Sequence, residues 1–164
     1  MNRGEKLALF LGMLSGDGCL SISHNGDGYR HYPIQFYNNE ESKVRLFDSL
    51  FFDLFGIHGK ISSRIRKDRK KIWDFVKVSR SIFTEINGIG FPEGVKRDVL
   101  RIPKIIWEGT QNEKLAFIHG MLITDGYTTN KLIRFHLGSK LFLEDISILL
   151  EQFIGIKKEV KEFT

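Results

Sequence analysis

Two aspartates end two nearly identical phrases of this sequence. Residues 7–18 read LALFLGMLSGDG and residues 115–126 read LAFIHGMLITDG, so Asp17 and Asp125 hold the same place in each copy. Seven of the twelve positions are identical, and the copies lie 108 residues apart. This period is far longer than a solenoid repeat, and it predicts two similar halves around a pseudo-twofold axis.

Two carboxylates brought to one point could hold a divalent cation. At a separation of about 5 Å and an effective dielectric near 20 they repel by roughly 3 kcal/mol. The negative end of each helix adds to this repulsion. Oxygen ligands, with Cys19 as the single cysteine, favour Mg²⁺ over zinc. One Asp-Gly taken alone after an apolar helix is most often a simple helix end, so the prediction depends on the matched pair.

Each phrase has the apolar periodicity of a helix that is buried on two sides. Small residues recur four positions apart, at Gly12 and Gly16 in the first copy and at Gly120 and Thr124 in the second. Small residues at this spacing let two helix backbones approach closely. We therefore expect the two helices to pack against each other through these four residues, which would bring the two aspartates together.

The glycine after each aspartate predicts how each helix ends. Gly18 and Gly126 stand where a left-handed C-terminal residue commonly stops a helix, a conformation that glycine adopts easily. We therefore expect positive φ angles at both positions.

Composition limits the class of protein. The chain has 164 residues, of which 41% are hydrophobic and 14 are Phe, enough for a real core. No apolar run approaches the roughly 20 residues of a membrane span, and the first residues do not resemble a signal peptide, so we expect a cytoplasmic protein, or an organellar one in a eukaryote. The net charge of +5 suits a polyanionic partner without selecting one.

The paired phrases FLGMLSGDG and IHGMLITDG resemble the motif of the LAGLIDADG homing endonucleases, in the single-chain branch with two motifs. The resemblance implies an α+β fold of two pseudo-twofold related αββαββα halves with antiparallel DNA-binding sheets. The pattern agrees. It predicts strands at 19–23 and 32–37, a helix at 40–55, a hairpin at 60–66 and 72–78 and a helix at 81–87, then strands at 127–129 and 132–137 and a helix at 140–154.

The predicted organisation is a first half at 1–98, a linker at 99–112 and a second half at 113–164. The second half looks short at its C-terminal end, because only eight residues follow Ile156. We expect it to end inside its third strand and to lack a counterpart of Lys96. That expectation leaves open whether this chain cleaves DNA.

The resemblance also implies the roles of the site residues. Asp17 and Asp125 would ligate Mg²⁺ with the backbone carbonyls of Gly16 and Thr124. Asn38 would orient the attacking water, and Lys96 would polarise it or steady the developing charge. Each strand of a duplex would then be cut by its own water across the minor groove.

Strand alternation predicts which side chains face the DNA. Ile61 and Ile65 are expected on the core side of one strand, and Ile133, Phe135 and Leu137 on the core side of another. The outward positions, together with the basic run RIRKDRKK at 64–71, supply polar and cationic groups for phosphates and bases. The candidate DNA contacts are Ser21, Ser23, Gln35, Tyr37, Lys60, Ser62, Arg64, Arg66, Lys70, Lys77, Arg134 and His136.

Three functions remain open at this point. The first is a monomeric, metal-dependent and site-specific double-strand DNA endonuclease, of the kind that moves introns or inteins. The second is a catalytically degenerate relative that acts as an intron RNA maturase or as a DNA-binding regulator. The third is an ordinary α+β protein with duplicated halves and no nucleic-acid partner.

Overall fold

A computed structural model describes residues 1–153, so the predicted end of the last helix and the predicted third strand of the second half lie outside the described residues. The first half contains α1 (Arg3–Asp17), β1 (Gly18–Leu20), β2 (Ser23–His24), β3 (Arg30–His31), β4 (Pro33–Asn38), α2 (Glu41–Phe55), β5 (Lys60–Ile65), β6 (Lys71–Val78) and α3 (Arg80–Ile89). Then follow α4 (Lys104–Trp107), α5 (Gln111–Asp125), β7 (Gly126–Thr129), β8 (Leu132–Phe135) and α6 (Lys140–Glu151). The predicted linker thus contains the short helix α4.

The first half is built on a four-stranded antiparallel sheet in the order β1-β4-β6-β5. The register pairs Gly18 with Phe36, Phe36 with Phe75, and Phe75 with Ile61. Strands β2 and β3 form a separate hairpin, and β7 pairs with β8 in the second half. The predicted α+β class with antiparallel sheets is confirmed.

Phenylalanine rings fill the space between the sheet and the helices. Phe47 of α2 stacks on Phe36 of β4 with ring centroids 4.3 Å apart. It also lies 5.0 Å from Phe75 of β6 and 4.9 Å from Phe10 of α1. All four side chains are fully buried, so one face of the sheet carries the core and the opposite face is left for other contacts.

Helices α1 and α5 pack against each other through their small residues, as predicted. A Cβ added to Gly120 would lie 2.7 Å from the backbone nitrogen of Met13 and 2.9 Å from the Cα of Gly12. Each helix begins with a capping box, formed by Asn2 and Glu5 in α1 and matched in α5. Gly12 lies beside Gly120 and Gly16 beside Thr124, so the two helices end at the same level.

The expectation for Gly18 and Gly126 is wrong. Their φ angles are −103° and −101°, which is extended backbone, because each helix continues directly into a strand instead of turning back. Glycine is needed at Gly18 for space: a Cβ there would lie 2.8 Å from the carbonyl oxygen of Leu14. Left-handed glycines end α2 and α3 instead, at Gly56 with φ of 75° and at Gly90 with φ of 117°.

An ion pair links Arg101, in the segment before α4, to α6 of the second half. Arg101 donates to both carboxylate oxygens of Asp145 in α6, at 2.7 and 2.8 Å, and the backbone nitrogen of Ile102 donates to the same group at 3.1 Å. Within residues 1–153, no helix combines the length and the apolar character needed to cross a bilayer.

Candidate active site

Asp17 and Asp125 are the last residues of α1 and α5, and the contact between these helices brings them together. A Cβ built on Gly16 would lie 3.3 Å from Oδ2 of Asp125, so the second carboxylate lies against the last turn of α1. Both aspartates are partly buried. The predicted juxtaposition of the two carboxylates is therefore present in the structure.

Burial is the main reason that both carboxylates hold protons unusually well. It raises the pKa of Asp17, although the hydrogen bond from Asn38 and the charges of Lys96 and Lys43 oppose the rise. Burial and the charge of Asp17 raise the pKa of Asp125 from 3.8 to about 6, with Lys96 opposing. A cation bound between the two carboxylates would therefore stabilise their ionised forms.

Lys96 reaches the end of α1 from the segment after α3. Its Nζ donates to the carbonyl oxygens of Ser15, Gly16 and Gly18 at 2.7, 2.6 and 2.7 Å and lies 3.2 Å from that of Leu14. These carbonyls form the negative end of the helix. Burial lowers the pKa of Lys96 to about 8, while Asp125 and Asp17 oppose the change.

Asn38 contacts Asp17 directly. Its Nδ2 donates to Oδ2 of Asp17 at 2.6 Å, and its Oδ1 accepts from the backbone nitrogen of Glu40 at 2.9 Å. Since both ends of the amide are engaged, the geometry favours orientation of the carboxylate over the predicted orientation of a water.

The two carboxylates have different surroundings. Within residues 1–153, no hydrogen bond reaches the side chain of Asp125, whereas Asp17 has Asn38. The carbonyl of Gly16, a predicted metal ligand, accepts from Lys96, and the hydroxyl of Thr124 lies 3.1 Å from the carbonyl of Gly120. In the part of the chain that is described, no cluster of three or more His, Cys, Asp or Glu side chains could hold a metal ion.

The open face of the four-stranded sheet carries most of the predicted DNA contacts of the first half. Register places Gln35 and Tyr37 on the face opposite the buried Phe36 and Phe75. The same register puts Lys60, Ser62 and Arg64 of β5 on this open face. Ser21 joins them through its hydroxyl, 3.3 Å from Oε1 of Gln35. Ser23 lies in β2, and Arg66 and Lys70 lie in the exposed turn between β5 and β6.

Two residues that were predicted on the core side of their strands are largely exposed. Ile65 does lie on the core side of β5, but it is the last residue of that strand and 74% of its surface is exposed. Ile133 is 42% exposed, although Phe135 and Leu137 pack against the core as predicted. Arg134 and His136 are exposed, also as predicted.

Register assigns Lys77 to the wrong face for a DNA contact. It pairs with the buried Ile34, and it lies two residues after Phe75 on the core side of β6. The predicted role for Lys77 is therefore not supported by its position.

Asp74 is the residue that the sequence reasoning missed. It pairs with Tyr37 and Ser62 and so lies in the middle of the open face, with its side chain 12% exposed. Oδ2 lies 3.2 Å from Nε of Arg64, and Oδ1 has no hydrogen-bond partner among the described residues. An acid inside the apolar strand KIWDFVKV was a signal that could have identified it.

Cys19 also lies beside the site, in β1. Burial raises the pKa of its thiol, and its Sγ contacts Oε1 of Gln35 at 3.5 Å. A thiol with a raised pKa is a poor nucleophile, so Cys19 fits a structural position better than a catalytic one.

Comparison with known proteins agrees with this geometry. Residues 112–162, which include Asp125 and all but the first residue of α5, match the family model described as LAGLIDADG-like domain. This part of the chain therefore resembles a LAGLIDADG-like domain. The same fold occurs in the homing endonuclease I-DmoI, with a TM-score of 0.69 and 20% identity over 93% of this chain and 78% of that one. I-DmoI has been crystallised with DNA and Mn and with DNA and Ca.

Other proteins similar to this chain carry different names. The N-terminal LAGLIDADG domain of DUF199/WhiA has a TM-score of 0.60 and 15% identity over all of this chain and 73% of that one. One subunit of the A-type ATP synthase of Pyrococcus abyssi is 29% identical over 75% of the chain, which covers 11% of that protein. The probable translation initiation factor IF-2 of Methanocaldococcus jannaschii is 25% identical over 99% of the chain, which covers 13% of it. The chain thus spans about a tenth of the length of these curated relatives.

Proposed function

We propose that this LAGLIDADG chain is a site-specific double-strand DNA endonuclease that hydrolyses phosphodiester bonds with divalent metal ions. The observation that carries the proposal is the pairing of Asp17 and Asp125 at the ends of two helices in direct contact. Their raised pKa values are the mark of carboxylates that need a cation. In a helix pair with only a structural role, two adjacent and half-buried acids would lower the stability of the fold.

The donor set fits Mg²⁺ or a similar hard cation. Asp17 and Asp125 supply carboxylate oxygens, and the carbonyls of Gly16 and Thr124 are nearby candidates. DNA phosphate oxygens and waters would complete the ligand set, as is usual for Mg²⁺ at phosphates. Once bound, the metal would supply an activated water and would neutralise charge at the phosphate.

Lys96 is the cationic side chain that acts on both aspartates of this site. With a pKa of about 8, a fraction of it is neutral near neutral pH, whereas an ordinary lysine stays fully protonated. In its charged form it offsets the negative end of α1 and the two carboxylates. Asn38 fixes the orientation of the Asp17 carboxylate through its 2.6 Å hydrogen bond.

The open face of the sheet is the proposed DNA surface. Polar and cationic side chains project from it, and the exposed turn after β5 adds Arg66 and Lys70. An antiparallel sheet of this kind can read base edges in the major groove, while its cations contact phosphates. Since both halves lie in one chain, we propose that the protein acts as a monomer.

The curated relatives support a role in the mobility of an intein or intron. The ATP synthase and the initiation factor IF-2 are named for unrelated functions, yet each resembles this chain over about a tenth of its own sequence. A short segment that recurs in unrelated proteins is typical of an inserted coding element. An endonuclease that cuts the uninterrupted host gene would promote such insertion.

A degenerate relative is the second candidate function, either an RNA maturase or a DNA-binding regulator. The fold also occurs in the DUF199/WhiA domain, so the fold alone does not determine cleavage. The presence of an aspartate at the end of both helices favours the enzyme, because a protein that only binds would not need the pair.

The test uses the purified full chain with duplex DNA from the host locus that lacks the inserted element. We expect cutting of both strands in Mg²⁺ and none in EDTA. Absence of cutting, together with tight metal-independent binding of the host intron RNA, would replace the enzyme with the maturase. Failure to bind any DNA at low salt would favour the ordinary α+β protein.

A further inference from the structure

We propose that Arg64 reads a guanine in the target DNA and that Asp74 is the positioning residue that orients it. This inference rests on the proposed function. It assigns the DNA specificity at one base pair to a unit of three side chains on the open face of the sheet, namely Arg64, Asp74 and Tyr37.

The three residues are neighbours across three strands. Asp74 of β6 pairs with Tyr37 of β4 on one side and with Ser62 of β5 on the other. Arg64 follows Ser62 by two positions, so its side chain leaves the same face. The guanidinium carbon of Arg64 lies 6.0 Å from the centre of the Tyr37 ring. Arg64 is thus bounded by a carboxylate and by an aromatic ring.

The contact with Asp74 leaves the two terminal nitrogens of Arg64 available for a DNA base. Nε is the guanidinium atom nearest the carboxylate, at 3.2 Å from Oδ2, and the terminal nitrogens have no hydrogen bond within residues 1–153. The Arg64 side chain is 64% exposed, whereas that of Asp74 is 12% exposed. A guanidinium held at Nε presents two parallel N–H groups outward, the fork that matches O6 and N7 of guanine.

The buried acid argues against a phosphate contact. A phosphate ligand benefits from a full positive charge, and Asp74 beneath Arg64 cancels much of it. Guanine O6 and N7 are neutral acceptors, for which orientation matters more than net charge. Arg66 and Lys70 offer the contrast, since no acidic side chain pairs with either in the described part of the chain. Those two residues suit phosphates.

The experiment selects bound sequences from a randomised duplex DNA library at fixed salt. The wild type is compared with Arg64→Ala, Arg64→Lys, Asp74→Asn and the control Lys70→Ala. We expect a guanine preference at one position that falls by roughly tenfold to a hundredfold in Arg64→Ala, as for the loss of a bidentate pair. Arg64→Lys keeps the charge but loses the fork, and the preference should also fall. Asp74→Asn should weaken the preference at that position and at no other.

Salt dependence separates the base contact from a phosphate contact. Lys70→Ala should lower the slope of log affinity against log salt by about one and leave the selected sequence unchanged. Arg64→Ala should change the sequence and leave the slope nearly unchanged. If Arg64→Ala weakens all sequences equally and lowers the slope, the inference is wrong while the proposed function stands. If the wild type enriches no sequence, the proposed function fails as well.

Thermal unfolding of each variant accompanies the selection. Arg64 is mostly exposed, so its variants should unfold close to the wild-type temperature. If Asp74→Asn does not fold, the comparison of Arg64→Lys with Arg64→Ala decides the proposal alone. Retention of the guanine preference in both would overturn it.

Discussion

Replacing Asp125 with Asn should stabilise the protein at neutral pH when divalent metal is absent. The pKa of Asp125 is raised from 3.8 to about 6 because burial and the nearby charge of Asp17 disfavour its ionised form. A raised folded-state pKa means that this carboxyl imposes no penalty below about pH 4. The penalty grows as the pH rises and is complete above about pH 6. Asparagine keeps the shape of the side chain and removes the charge.

The expected gain follows from the size of the shift. A rise of about two pKa units corresponds to ~3 kcal/mol of free energy of unfolding at neutral pH. Asparagine still leaves an amide without a partner, so a gain of about 1–3 kcal/mol is expected. Each kcal/mol should raise the melting temperature by roughly 2–4 °C in a chain of this size.

Thermal unfolding in EDTA at pH 7.5 and at pH 4.5 measures the effect. The control is Asp98→Asn, which removes the same charge from an exposed position. The gain in Asp125→Asn should be large at pH 7.5 and should shrink at pH 4.5, while the control changes little at either pH. Equal stability of Asp125→Asn and the wild type at pH 7.5 would refute the reasoning that the ionised Asp125 carboxylate destabilises the folded protein.

Three more predictions follow from particular contacts. Gly120→Ala should lower the free energy of unfolding by about 1–3 kcal/mol, because its Cβ would meet the backbone of α1. Gly88→Ala in α3, where a Cβ meets nothing among residues 1–153, should raise it by about 0.5–1 kcal/mol in the same urea titration. Lys96→Met should slow cleavage and remove the inflection near pH 8 from the pH–rate profile; an unchanged profile would exclude Lys96 from proton transfer. Asp145→Ala should lower the free energy of unfolding by about 1–2 kcal/mol at pH 7, because it removes the acceptor of the buried backbone N–H of Ile102 and the ion-pair partner of Arg101. The difference from the wild type should shrink as the pH drops below 3.8, since the pKa of Asp145 is lowered; a difference that persists undiminished at low pH would contradict this account.

The packing of the two helices was predictable because the repeated sequence places small residues at matching positions in both helices. Small residues four apart at Gly12, Gly16 and Gly120 permit one close packing, and that packing alone brings Asp17 to Asp125. The sheet was predictable for a similar reason, since alternation with period two assigns residues to faces.

The corrections arise where one residue has more than one local option. Gly18 could end a helix in a left-handed turn or could lead into a strand, and only the strand pairing with Phe36 selects the second. Ile65 lies on the core side of β5, as alternation predicts, but it is exposed, because alternation assigns a face and does not determine how far the core extends along the strand.

The hydrogen-bond partners of the site residues could not be predicted from the sequence. Nothing in the sequence determines that Lys96 ends among the carbonyls of α1, or that Asn38 is held by both Asp17 and Glu40. Such contacts join residues from 21 to 82 positions apart or depend on a rotamer, and the fold must be known before they can be identified.

Cleavage by variants of the two aspartates tests the central claim most directly. A duplex carrying the selected site is incubated in Mg²⁺ with the wild type, Asp17→Asn, Asp125→Asn and Asp98→Asn, and binding is measured in parallel. The account predicts that the wild type and Asp98→Asn cut both strands, while the other two variants bind the duplex but do not break both strands. Cutting of both strands at the wild-type rate by either Asp17→Asn or Asp125→Asn would contradict it.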